Sequence, residues 1–126
     1  MLKILIVGIG GFAGAIARYA FSGTVHRLFD GRFPYGTLFV NIFGCFAVGL
    51  VMYWVNYREL FDSNTRIFLA IGILGSFTTF STFAYESLEL LLDHRYLAAA
   101  SNIALHMFVC IGAVWAAMLV GQFVTK

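Results

Sequence analysis

Residues 75–87 read Gly-Ser-Phe-Thr-Thr-Phe-Ser-Thr-Phe-Ala-Tyr-Glu-Ser, and eight of the thirteen side chains carry an oxygen. Phe80 and Phe83 are three apart and share a face if the segment is helical. Phenyl rings have positive edges, so rings presented edge-on attract an anion without a formal charge. Gly72, Gly75 and Ser76 precede Thr78, Thr79, Ser81 and Thr82. Glycine weakens a helix, and hydroxyls bond carbonyls that a break sets free. Oxygens freed in this way are ligands for a hard cation. The alternative is a continuous helix, with hydroxyls bonded back to their own backbone and rings that only pack.

Other polar residues stand in equally apolar surroundings. Arg18 lies roughly 24 Å along its helix from Leu2, at ~1.5 Å per residue. It either snorkels to the interface or faces a wet cavity that it makes attractive to anions. Thr37 and Asn41 are one turn apart on one helix face, and both can donate hydrogen bonds. Asn102 and His106 repeat that spacing further on; they bridge helices or line a path. Glu86 and Glu89 stand where their helix approaches water. Cys45 and Cys110 sit in separate apolar runs and read as buried thiols that pack as small hydrophobes. Neither a metal spacing nor a disulfide framework is visible.

These residues must be positioned by membrane helices. The chain has 126 residues, 61% hydrophobic and only 11% charged, with mean hydropathy +0.89. A soluble domain has about 25% charged residues. The charges cluster at Arg27, Asp30 and Arg32, at Arg58, Glu59, Asp62 and Arg66, and at Asp93 and Arg95. The runs between exceed the roughly 18 apolar residues that suggest a membrane span. The first run continues to about Val25 and carries Arg18, too long and too polar at its end for a signal peptide. The reading is therefore an all-α integral membrane protein, one domain over 1–126, with helices at about 2–25, 35–57, 66–92 and 96–124. Short linkers make sequence neighbours antiparallel neighbours in space. Gly10 and Gly14, and Gly44, Ala47 and Gly49, are small residues that let helices approach closely in lipid.

With four spans, Lys3, Arg58, Arg66 and Lys126 share one side of the membrane, and Arg27, Arg32 and Arg95 the other. Orientation follows an imbalance of such charges, and here almost none exists. Two outcomes stay open: insertion both ways up, giving an antiparallel homodimer, or one orientation set by another feature. A net charge of +2 gives no ground for nucleic-acid binding.

Three segments together, "GGFAGAIARY" (10–19), "GTLFVNIFG" (36–44) and "GILGSFTTFSTFAYE" (72–86), resemble the Fluc/CrcB family of fluoride channels. The resemblance covers essentially the whole chain; Ser76 departs from it, where the family commonly has a second glycine. It implies a dual-topology antiparallel homodimer with a broken third helix and two pores at the subunit interface. Fluoride would leave a bacterial inner (plasma) membrane passively, down its electrochemical gradient, lowering its toxicity inside. By position, Phe80 and Phe83 match the paired pore phenylalanines, Asn41 the vestibule asparagine and Arg18 the vestibule arginine. Thr37, Ser81, Thr82 and Glu86 fall on or near a polar track, with Asn102 and His106 as weaker pathway candidates. Gly75 and Thr78 match residues whose backbone carbonyls bind a central, structural sodium ion. No organic cofactor is implied, and the partners are fluoride, membrane lipid and a second copy.

Two other classes compete. A four-span proton-coupled multidrug transporter needs a carboxylate in its first helix, and this chain has no Asp or Glu before Asp30. A purely structural accessory subunit would not need the Phe-hydroxyl run. An enzyme is not expected, because no nucleophile–base pair is apparent.

Overall fold

The computed structural model describes residues 1–29 and 32–124. Asp30 and Lys126, both included in the charge distribution above, lie outside the described residues. Among those described, every regular element is helical: α1 (Leu2–Leu28), α2 (Tyr35–Arg58), α3 (Ser63–Arg66), a π-helical segment (Ile67–Leu74), α4 (Gly75–Phe77), α5 (Phe80–Leu92) and α6 (Tyr96–Val124). Four stretches are long and apolar enough to cross a membrane: Leu2–Leu28, Tyr35–Arg58, Ser63–Leu92 and Tyr96–Val124. These lie within a few residues of the expected spans. The third begins earlier, at Ser63, because Asp62 caps it by accepting the Thr65 amide at 3.2 Å.

The two halves of the third span have different partners. The π-helical segment and α4 lie against α1, whereas α5 lies against α6, and α2 packs most extensively along α6. Between the halves, Thr78 (φ −79°, ψ 158°) and Thr79 (φ −151°, ψ 115°) are extended. Thr79 caps α5, since its hydroxyl accepts the Thr82 amide at 3.3 Å.

Apolar burial drives helix association weakly in lipid, so close van der Waals contact carries more of it. Gly10 and Gly14 supply that contact. A Cβ on Gly10 would stand 2.8 Å from the Phe68 carbonyl oxygen and 2.9 Å from Gly72 Cα. One on Gly14 would collide with the Ile73 carbonyl. Gly49 does the same for α2 and α6, against Val114 and Ala117.

The interior is unusually polar. Thr37, Asn41, Thr79, Ser87, Asn102 and His106 are all buried, and Val40 and Asn102 are the largest fully buried side chains. The outward faces of α1, α5 and α6 carry large apolar side chains, among them Phe12, Tyr19, Phe80, Phe108 and Trp115. The polar groups therefore sit on the inside, where α2, α5 and α6 meet.

Candidate functional site

Asn41 sits on the inner face of α2, opposite the extended residues of the third span. Its Nδ2 donates to the Thr79 carbonyl at 2.9 Å, and its Oδ1 accepts the Thr79 amide at 2.8 Å. One primary amide thus satisfies both backbone groups of one residue, as a neighbouring strand would. In a continuous helix, the Thr79 amide would bond to the Gly75 carbonyl, four residues back. Asn41 takes that amide away. The Thr82 amide would likewise bond to the Thr78 carbonyl, but it goes to the Thr79 hydroxyl. Gly75 and Thr78 therefore have carbonyls whose helical donors are diverted, each by a named group. Gly44 makes room for this, because a Cβ there would meet Thr78 Cγ2.

Arg18 reaches the same place from α1. Its Nη1 lies 3.5 Å from the Thr78 carbonyl oxygen, a long bond. Arg18 also lines a cavity of about 810 Å³ that opens toward the ends of α1 and α5. Arg18, Arg32, Arg95 and His26 on its wall face Glu86, Glu89 and Asp93. Its fixed charges, three arginines against three carboxylates, are in balance. The local potential thus depends on where along the cavity each charge sits. Thr37 and Thr82 belong to the same wall.

The hydroxyls form a connected set. Thr79 Oγ1 lies 2.9 Å from Thr82 Oγ1 and 3.3 Å from Ser81 Oγ. Thr37 donates to Glu86 Oε1 at 2.7 Å, joining α2 to α5. Glu86 Oε2 is buried and has no partner among the described residues. Half-buried and bonded to Thr37, Glu86 is not a side chain leaving for water.

The three phenylalanines of the run part company. Phe77 packs edge-on to Phe21 of α1 at 6.0 Å. Phe80 and Phe83 stand edge to face with centroids 5.4 Å apart. Phe80 is 75% exposed and Phe83 only 7%, so one ring faces outward while the other stays inside. Phe83 lies against His106 of α6, with centroids 4.2 Å apart and a 33° tilt. His106 in turn bonds to the Asn102 carbonyl, and Asn102 to Ser87.

A family model described as CrcB-like protein, Camphor Resistance (CrcB), matches residues 5–118. The chain belongs to the CrcB family. Similar proteins bear this out. One named Fluoride-specific ion channel FluC 1, from Methanosarcina acetivorans, is 50% identical over 115 residues, which cover 91% of this chain and 87% of that protein. Another, named Fluoride-specific ion channel FluC, from Geobacter metallireducens, is 39% identical over 122 residues, covering 97% and 98%. A third of that name, from Campylobacter jejuni, is 42% identical over 117 residues, covering 93% and 95%. With four such spans, this CrcB family member is a multi-pass membrane protein.

Sequence reasoning about this CrcB chain missed several partners. Thr79 drew notice only as one hydroxyl of a run, yet its backbone is what Asn41 holds. Ser87 escaped notice, although it stands four residues beyond Phe83, where a serine can bond back to the carbonyl; it does so at 2.7 Å. Glu89, Asp93 and Arg95 line the cavity wall, and only their crowding near one end of the bundle hinted at it. Cys45 and Cys110 are neighbours across α2 and α6; their sequence separation gave no sign of it.

Proposed function

We propose that this protein is a fluoride-selective channel, not an enzyme, which lets fluoride leave the cytoplasm passively through the inner membrane. Two copies inserted in opposite orientations form a homodimer with two pores at their interface. The observation that carries this reading is the Asn41–Thr79 pair. It holds the backbone extended in the middle of a span, and irregular backbone at that depth must be buried in protein or line a cavity.

Phe80 supports the dimer. It is 75% exposed, and Ser81 and Thr82 beside it are exposed as well. Hydroxyls at mid-span gain nothing from lipid, whereas a second copy or a water-filled path satisfies them. Each pore then combines the donors of the polar track, Ser81, Thr82, Thr37 and Asn41, with the ring edges of Phe80 and Phe83. Glu86 borders this track, and Arg18 sits at the inner end of the vestibule. Donors and ring edges together replace the water of a small, strongly hydrated anion, while a narrow path excludes larger chloride.

A structural sodium ion suits the same place. The Gly75 and Thr78 carbonyls would hold it, since such oxygens fit a hard cation. Both are freed by the diverted amides described above, and the Thr78 oxygen has a second lone pair beyond the one that Arg18 approaches. A sodium ion held by these carbonyls would supply positive charge where the third span is interrupted.

Fluoride efflux from liposomes containing the purified protein tests the reading. Flux that excludes chloride and persists without a pH gradient is the expected result. Flux that strictly requires a proton gradient would instead establish a proton-coupled transporter.

A further inference from the structure

α2 and α6 run in the same direction. Gly49 of α2 faces Val114 and Ala117 of α6, and further along Tyr53 faces Gly121. A Cβ on Gly49 would stand 2.7 Å from the Val114 carbonyl oxygen, so the two backbones touch there. Cys45 and Cys110 stand four residues before Gly49 and Val114, one helical turn back from that contact on each helix. The two residues are neighbours across the helix pair. Both are free thiols, Cys110 buried and Cys45 partly exposed. A disulfide requires Cα atoms within about 7 Å, and helices whose backbones touch one turn away hold a facing pair within that reach. Among the described residues, no three of His, Cys, Asp or Glu gather to hold a metal, so the pair lacks the further ligands of a structural zinc centre. Each thiol alone packs as a small hydrophobe; facing each other they are also a dithiol.

We propose that Cys45 and Cys110 are oxidised to a disulfide by an organic hydroperoxide dissolved in the membrane, stapling α2 to α6. The class of oxidant follows from depth. Both cysteines lie near the middle of their spans, where an apolar peroxide dissolves and a hydrophilic oxidant does not. Cys45 reacts first, because it is the accessible one. Its sulfur, as the thiolate, attacks the terminal peroxide oxygen. The O–O bond breaks, the alkoxide leaves with the thiol's proton as an alcohol, and Cys45 becomes a sulfenic acid. The Cys110 sulfur then attacks the Cys45 sulfur. The S–S bond forms, the S–O bond breaks, and the hydroxyl leaves with the Cys110 proton as water. Two thiols and one hydroperoxide thus give one disulfide, one alcohol and one water, with two electrons passing to the peroxide.

The disulfide closes a loop from residue 45 to residue 110 that contains the whole third span. Such a link stabilises by constraining the unfolded chain, and more so for a long loop. Asn41, one turn before Cys45 on α2, holds Thr79 inside that loop. The staple therefore fixes the helix that carries this clamp. It depends on helix packing alone, not on which ion crosses.

The test uses the purified full-length protein in lipid vesicles treated with cumene hydroperoxide. Free thiols are counted with a maleimide after denaturation, and the intact mass is measured. Both thiols should disappear together, the chain should lose the mass of two hydrogens, and a thiol reductant should restore it. In Cys110→Ser, a dimedone probe should trap a sulfenic acid on Cys45; in Cys45→Ser, the Cys110 thiol should persist. The oxidised protein should melt at least about 5 °C above the reduced protein, with no such shift in Cys45→Ser. Thiols that survive the hydroperoxide overturn the proposal. So do added oxygens in place of lost hydrogens, links formed only between two chains, and a sulfenic acid on Cys110 in Cys45→Ser. Equal melting of the oxidised and reduced protein overturns the staple.

Discussion

The side-chain amide of Asn41 pairs with both the N–H and the C=O of Thr79, at 2.8 and 2.9 Å, across 38 positions of sequence. Asn41→Ala would leave two buried backbone groups unpaired, at about 1–3 kcal/mol each. The expected outcome is a lower melting temperature in detergent together with loss of fluoride flux. Asn41→Asp keeps the acceptor for the Thr79 amide but turns an oxygen toward the Thr79 carbonyl, so it should fail as well. Unchanged melting and flux in both variants would show that the extended residues hold themselves in place.

Close packing of α1 on the third span is tested at two glycines. A Cβ on Gly14 would meet the Ile73 carbonyl, whereas one on Gly8 has nothing within 4 Å. Gly14→Ala should destabilise the protein by about 1–3 kcal/mol through overpacking. Gly8→Ala should be neutral or gain up to ~1 kcal/mol from helix propensity. Thermal unfolding in detergent measures both, and equal effects would mean that the contact at Ile73 yields freely.

Phe80 and Phe83 should separate stability from conduction. Phe80 is largely exposed within one chain and Phe83 is buried against His106. Phe80→Ile should cut flux at little cost to the folded protomer. Phe83→Ile should cut flux and also lower stability, since it empties the ring's place beside the imidazole. Full flux in both variants would assign the rings to packing alone.

The bond from Thr37 to Glu86 joins α2 to α5 at 2.7 Å. Thr37→Val is nearly isosteric and leaves both carboxylate oxygens of Glu86 without a protein donor. Loss of such a partly buried donor costs on the order of 1–3 kcal/mol, and flux should fall. Flux at the original level would place Glu86 off the path.

If the Gly75 and Thr78 carbonyls hold sodium, exchanging sodium for a bulky organic cation should reduce both flux and the dimer fraction. Crosslinking in detergent reads the dimer fraction. A dimer indifferent to sodium would leave those carbonyls to water or to Arg18.

The sequence by itself determined the class of the protein and its spans, because apolar length and charge placement are local properties. It also marked the residues of the third span whose helix is weakest, since glycine and hydroxyl content is written in one short stretch. Only the tertiary structure decided which polar groups meet. Successive residues on a helix point about 100° apart, so small rotations of α2 or α6 exchange one partner for another. Asn41 as a clamp on Thr79, Thr37 on Glu86, Ser87 beneath Asn102 and Cys45 against Cys110 all depend on such angles. The glycine contacts at Ile73 and Val114 set those angles, and they exist only once the helices are packed.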